Sequence, residues 1–292
     1  MGGTMQRPIV LGTVVVGGFV SMTVFGQAGQ LGIDNVAMNL YRVTGQGGNT
    51  AVFVRNDGVL LVDTKLANNG QGILDQVRTV TDKPITHILN THTHGDHTGS
   101  NMFFPANVEV VVHANTAANM AKMPEFQGEG RVGMSDRTFQ DRLTLFSGAE
   151  AVDLYHFGAG HTNGDAFIVF RNARVMHSGD IFATRGLPFL DVNNGGSGVA
   201  IGDTLTKAAN GIANVDRVIT GHTDTLVWQD FVDYAEFNRL FLEHARTSRT
   251  AGKTPEQAAA DLQLPAKFSG YNLTGRGGPV TNLTVIYDEL AR

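Results

Sequence analysis

The sequence predicts an α/β domain with a helical C-terminal segment, and three observations predict it. From about residue 34 to residue 220 the chain alternates short apolar, strand-like runs with turn residues. Between two of those runs stands Asn56-Asp57-Gly58, a strong hairpin signal. Beyond Gln229 the spacing becomes helical, with Phe231, Tyr234, Phe237, Phe241 and Ala245 along one face. At 292 residues and 31.2 kDa the chain is long enough to bury a full core. No repeat, low-complexity tract or clean linker divides it, so residues 34–292 are read as one domain whose segment 229–292 is helical.

The elements follow in order. Residues 1–28 have the layout of a secretory signal peptide: Arg7, then the apolar run Ile9 to Phe25, then the small-residue exit Gly26-Gln27-Ala28. The reading predicts a periplasmic or secreted protein with no stable membrane insertion once the segment is removed. Val14, Val15 and Val16 leave a buried strand open, and the length of the run leaves an uncleaved N-terminal anchor open. Ala51 to Thr64 reads as a hairpin, and Gly72 to Thr81 as a helix with Ile73, Val77 and Val80 at helical spacing. Ile85 to Thr91 and Val108 to Val112 read as buried strands. Further strands are expected at Val152 to Phe157, Ala166 to Phe170, Val175 to His177 and Arg217 to Thr220. Gln229 to Arg249 is the amphipathic helix. A second helix opens at Thr254-Pro255-Glu256-Gln257, with an N-cap, proline at the first position and glutamine at the third. The sequence leaves three roles open for this C-terminal segment: covering a site, supporting a sheet or forming a dimer contact.

Composition narrows the chemistry. Twenty-two basic against 27 acidic residues give a net charge of −5, which speaks against a nucleic-acid partner. The chain has no cysteine, which excludes disulfides, thiolate ligands and a cysteine nucleophile. Any catalysis runs on His, Asp, Glu, Ser, Thr or Lys.

The ten histidines carry the strongest signal. In His92-Thr93-His94-Gly95-Asp96-His97, alternation on a strand would turn His92 and His94 to one side. Gly95 permits a sharp turn that aims Asp96 and His97 at a second point nearby. Three imidazoles and a carboxylate in six residues suit zinc or another borderline metal, not calcium or magnesium. His161, Asp180 and His222 each follow an apolar run with glycine immediately before them, as expected of side chains reaching into a site at strand ends. Together these give five imidazoles and two carboxylates, enough for two metals with an open coordination position.

The series HTHGDH, GHT, SGD and GH resembles the metallo-β-lactamase superfamily across nearly all of the chain beyond residue 34. The resemblance implies a four-layer αββα sandwich with C-terminal helices. It implies that His92, His94 and His161 hold a first metal, that Asp96, His97 and His222 hold a second, and that Asp180 bridges them. Asp63, closing Gly58-Val59-Leu60-Leu61-Val62-Asp63, matches a strand-end aspartate that supports the site from behind. It implies further a dinuclear zinc hydrolase, with iron or manganese as other metals, whose metal-bound hydroxide attacks a carbonyl while Asp96 orients it or passes a proton. A small-molecule substrate, a β-lactam-like amide, ester, lactone or thioester, suits that chemistry. An aspartate at position 180, where many lactamases carry cysteine or serine, keeps other branches open, among them a mononuclear iron persulfide dioxygenase. A non-catalytic metal-binding protein is the remaining alternative.

The other candidates rank lower. His87, His113 and His244 are read as structural or packing residues, and His156, His177 and Asp165 as neighbours of ligands. Met120, Met123 and Met134 with Phe126 and Phe139 suit ordinary core better than a lid. The loop Leu187 to Ser197, with Phe189, Asn193 and Asn194, is a candidate substrate contact. The sequence does not set the oligomeric state.

Overall fold

In a computed structural model, residues 30–275 and 278–292 are described. Residues 1–28, read from the sequence as having the layout of a signal peptide, lie outside them. Among the described residues no helix is long and apolar enough to cross a membrane.

Two sheets form the centre. The first runs β1 (Gly32–Ala37), β2 (Leu40–Thr44), β3 (Thr50–Val54), β4 (Val59–Val62), β5 (Ile85–Leu89), β6 (Glu109–His113) and β7 (Arg137–Phe139), paired in that order. The second contains β8 (Arg142–Leu145), β9 (Val152–Tyr155), β10 (Phe167–Phe170), β11 (Val175–Gly179), β12 (Arg217–Thr220) and β13 (Leu226–Val227), again in chain order. The helices are α1 (Gly70–Arg78), the single turn α2 (Gly95–Thr98), α3 (Ala114–Met120), α4 (Ile201–Gly211), α5 (Trp228–Thr250), α6 (Pro255–Ala260) and α7 (Gly278–Glu289). The hairpin expected around Asn56-Asp57-Gly58 is β3–β4, with Val54 opposite Val59.

Side chains of the central strands alternate between two cores, and this makes the layering. Leu60 and Val62 of β4 face the second sheet, where they meet Val152, Leu154, Ile168, Phe170 and Ile219. Val59 and Leu61 face the other way, onto Ile73 and Val77 of α1 and Met120 of α3. In β10, Ile168 and Phe170 point to the central core, whereas Phe167 and Val169 join α4, α5 and α7 on the outer face. The result is helix, sheet, sheet, helix. The C-terminal segment therefore supports the second sheet: Phe231, Phe237, Phe241, Ala258, Leu283 and Ile286 all lie in that outer core. Thr254 and Gln257 form the reciprocal cap of α6 that the sequence predicts.

Several elements depart from the expected strands and helices. The strand through Ile85 stops at Leu89, and residues 91–93 bend away. Helices α3, α4 and α7 and strands β1, β2, β7, β8 and β13 carry no sequence expectation above.

The position of parallel pairs decides where function sits. β4 and β5 are parallel, as are β11 and β12, so within each pair the residues following the strands emerge side by side at one end. Asp63 and Thr91 to His97 leave the first pair there; Asp180 and His222 leave the second.

In β9, one strand in from the edge of the second sheet, Asp153 is buried and takes hydrogen bonds from Thr144, Arg142 and Arg171. Burial raises its pKa, but the hydrogen bonds from Arg171, Thr144 and Arg142 outweigh it and bring the carboxyl down to about 2. A group whose folded pKa is depressed stabilises the fold above its unfolded pKa and loses that contribution as pH falls through the folded value. Asp153→Asn is therefore expected to destabilise the protein at neutral pH by on the order of 1 kcal/mol after solvent screening. It should also flatten the stability loss between roughly pH 4 and pH 2. Urea unfolding across that range measures it; an unchanged pH slope would contradict the assignment.

Candidate metal centre

All seven expected side chains meet at this end of the sheets, in two groups. Donor atoms of His92, His94, His161 and Asp180 lie within 4.8 Å of one another, as do those of Asp96, His97 and His222. The short helix α2 places Asp96 and His97 one turn beyond His94, which sits at its N-cap in extended conformation. His92 and His94 converge through the bend after β5 rather than by strand alternation; their ring centroids are 4.8 Å apart.

Hydrogen bonds on the outer side of the rings fix which nitrogen faces inward. Thr91 Oγ1 donates to Asp63 Oδ2 at 2.8 Å and lies 3.0 Å from His92 Nδ1, so it accepts from that nitrogen and leaves His92 Nε2 facing the group. His161 Nδ1 donates to the Phe189 carbonyl at 2.7 Å. His94 Nε2 donates to Asp191 Oδ2 at 2.7 Å. The three inward nitrogens are then lone-pair donors. They lie close together: His94 Nδ1 is 3.2 Å from His92 Nε2 and 3.0 Å from His161 Nε2. Unprotonated nitrogens repel at this separation, and a cation between them reverses the sign. Burial holds the pKa of His92 well below the ordinary histidine range and that of His161 down to about 4, keeping both rings neutral as metal ligands require.

The second group is more acidic. His97 is fully buried, and its Nδ1 lies 2.7 Å from Asp63 Oδ2. Its Nε2 and Asp180 Oδ1 are buried polar atoms without hydrogen-bond partners, 3.2 Å apart. His222 Nε2 stands 3.1 Å from Asp180 Oδ2 and 3.2 Å from Asp96 Oδ2. Burial lowers the pKa of His97, yet the Asp180 and Asp63 carboxylates hold it well above the ordinary value; the hydrogen bonds to Asp180 and Asp96 bring His222 up to about 9. Carboxylates that hold protons on imidazoles this firmly carry negative charge that a divalent cation neutralises by displacing those protons. Asp180 lies between the groups, its Oδ2 3.9 Å from His161 Nε2 and its Oδ1 3.2 Å from His97 Nε2. The orphaned atoms and the N/O donor set suit zinc or another borderline metal.

Asp63 stands behind this arrangement. It is fully buried, with φ 64°, and accepts hydrogen bonds from Thr91 N, Thr91 Oγ1 and His97 Nδ1. Two glycines allow the close approach: a β-carbon on Gly48 would overlap the His97 ring, and one on Gly221 would overlap Asp180 Oδ1.

The lower-ranked residues take other places. His177 Nε2 donates to Asn49 O while its Nδ1 accepts from Gly179 N, so it ties strands together behind the site. His113 caps α3 and stacks on His156 at 3.8 Å, and His156 Nδ1 donates to Asp165 O at 2.9 Å. His87 faces Glu109, and His244 donates to Ala258 O, joining α5 to α6. Met120 and Phe126 are core under the first sheet, Phe139 is core between the sheets, and Met134 packs on the former. Met123 takes a hydrogen bond from Thr93 Oγ1. In the loop Leu187 to Ser197, the Phe189 ring lies 6.0 Å from that of His94 and 5.7 Å from that of His161. Sequence reasoning missed Asp191, Asn49 and Lys65. Asn49 Nδ2 donates to Thr220 O and Thr223 O, and the buried Lys65 Nζ donates to Val43 O and Gly48 O. A lysine followed by Leu66-Ala67-Asn68-Asn69 gives no sign that it will be buried.

Comparison with known proteins bears on the fold and the family. No curated protein matches the chain. Among solved structures, the sec-alkylsulfatase Pisa1 from Pseudomonas sp. is similar over 89% of this chain, with a TM-score of 0.76 and 15% identity. This chain spans 50% of the sulfatase's length. A metallo-beta-lactamase from Pontibacter korlensis is similar over 72% of this chain and 99% of its own, with a TM-score of 0.63 and 16% identity. The DIM-1 metallo-beta-lactamase is similar over 72% of this chain and 98% of its own, with a TM-score of 0.61 and 15% identity. These likenesses carry the fold. The model of the metallo-beta-lactamase superfamily matches residues 43–228, and the chain belongs to that superfamily.

Proposed function

We propose that the protein is a dinuclear zinc-dependent hydrolase acting on a small carbonyl substrate: a β-lactam-like amide, an ester, a lactone or a thioester. The supporting observation is the convergence of three imidazole nitrogens at 3.0–3.2 Å, each with its other nitrogen engaged outside. His92, His94 and His161 would hold the first ion, Asp96, His97 and His222 the second, and Asp180 both. Bound there, zinc supplies an acidified water and a Lewis acid for the carbonyl oxygen. The chain's own residues do the rest. Asp96 is the more open carboxylate of the pair, its side chain 27% exposed against 13% for Asp180, and stands where it can take a proton from the attacking water. His222, 36% exposed, marks the side from which substrate enters. Phe189 covers the His94 and His161 rings and gives the mouth an apolar wall.

A sulfate ester is the second substrate reading. The alkylsulfatase likeness spans more of this chain than those of the lactamases, 89% against 72%. The second donor group, Asp96, His97 and His222, is complete, which supports a second ion over the mononuclear iron reading without removing that reading. An exported location rests on the apolar run from Ile9 to Phe25.

Elemental mass spectrometry on protein purified without added metal is expected to find about two zinc ions per chain, with turnover lost to chelators and restored by zinc. His94→Ala should lose first-group metal and turnover together; an active, fully loaded variant would overturn the assignment. One iron per chain with oxygen consumption would select the dioxygenase reading instead. A hydrolysis screen of lactams, thioesters, lactones and alkyl sulfates then separates the substrates.

The contact of Gly48 with His97 yields a second test. Gly48→Ala forces the imidazole or the β2–β3 loop to move, with an overpacking penalty of about 1–3 kcal/mol. A lower melting temperature and weakened zinc retention are expected. A variant indistinguishable from the parent in both would contradict the packing described.

A further inference from the structure

The loop from Leu187 to Ser197 grips the first donor group from outside. Asp191 Oδ2 accepts from His94 Nε2 and the Phe189 carbonyl accepts from His161 Nδ1, both at 2.7 Å. The backbone adds two more ties, Asp191 N to His161 O and Ser197 N to Gly160 O, each 2.9 Å. Asp191 also holds the loop's own turn: its Oδ1 accepts from Asn193 N and Asn194 N, and its Oδ2 from Asn194 Nδ2 at 2.6 Å.

The far end of the loop is fixed by α7. Glu289, the last residue of that helix, accepts from Ser197 Oγ at 2.6 Å, Gly198 N at 2.8 Å and Val199 N at 3.2 Å. Ser197 Oγ in turn accepts from Ala200 N at the start of α4. A continuous hydrogen-bonded path thus runs from the C-terminal helix to two rings of the candidate metal centre. An imidazole whose outer N–H is held by a carboxylate has its tautomer and its ring orientation set, and losing such a partner weakens metal binding.

We propose that Asp191 and Glu289 are positioning residues for the first metal: Asp191 by direct hold on His94, Glu289 by anchoring the loop that presents Asp191 and the Phe189 carbonyl. The C-terminal helix then takes part in assembling the site as well as in covering the second sheet. This inference rests on the reading of His92, His94, His161 and Asp180 as metal ligands.

The test is zinc affinity by competition with a chromogenic chelator, on the full chain and on Asp191→Asn, Glu289→Gln and the exposed-surface control Glu243→Gln. Asp191→Asn is expected to weaken one of the two zinc equivalents by about 10- to 100-fold and to leave the other unchanged. Glu289→Gln keeps the size but loses acceptor capacity, and should weaken the same equivalent by a smaller factor. A purely structural role would lower the melting temperature while leaving the zinc affinity of the folded protein at the control's value, and that result would overturn the proposal. Should Asp191→Asn fail to fold, Glu289→Gln decides alone: unchanged affinity overturns its role, selective weakening supports it. Parent protein that takes up no zinc would overturn the metal reading itself, a different result from parent and variants binding alike.

Discussion

The carboxylate of Asp63 is the constraint on which the site depends. A fully buried carboxylate is unfavourable by several kcal/mol unless its lone pairs are satisfied, and here three donors satisfy them: Thr91 N, Thr91 Oγ1 and His97 Nδ1. Those bonds act in two directions. Through Thr91 the hydroxyl is turned toward His92, setting that ring; through His97 the second ring is set with Nε2 toward Asp180. One side chain from the end of β4 thereby orients a ligand candidate in each of the two groups. The left-handed backbone at Asp63, φ 64°, is tolerated because aspartate adopts that region more readily than most residues.

The remaining geometry follows from where strands end. Parallel pairing of β4 with β5 and of β11 with β12 gathers residues 28 positions apart in one case and 42 in the other, as in Asp63 with Thr91 and Asp180 with His222. The central core between the sheets brings the two ends into register, and Asn49 laces them by hydrogen bonds to Thr220 and Thr223. Around this frame an outer layer of partners fixes four of the five rings: Thr91 for His92, Asp191 for His94, Asp63 for His97 and the Phe189 carbonyl for His161. The chemistry is held by rigid strand ends on one side and by an anchored loop on the other, an arrangement that limits reorganisation when charge develops.

Much of this was legible in the sequence, and the pattern of what was not has physical causes. The HTHGDH cluster and the glycines directly before His161, Asp180 and His222 at the ends of apolar runs are local signals that survive without tertiary information. The hairpin at Asn56-Asp57-Gly58 and the capped helix at Thr254 are local for the same reason. Helix α4 went unread because Gly202, Thr204, Thr206 and Asn210 are weak helix formers, and tertiary packing of Leu205 and Ala208 on α5 overrides that preference. Strands β7 and β8 are three and four residues long, too short for a polar–apolar pattern such as Arg142-Leu143-Thr144-Leu145 to stand out. Asp191 lies 97 residues from His94 and is one acidic residue among many until the fold places it. The expectation that His92 and His94 share a strand face gave the right convergence for a different reason, since the chain bends after Leu89.

Diffraction at the zinc absorption edge, on crystals of the full chain grown with zinc, tests the central claim most directly. The account predicts two anomalous peaks, one among His92 Nε2, His94 Nδ1 and His161 Nε2, the other among Asp96, His97 and His222, with Asp180 between them. Peaks elsewhere on the molecule, with neither donor group occupied, would contradict it.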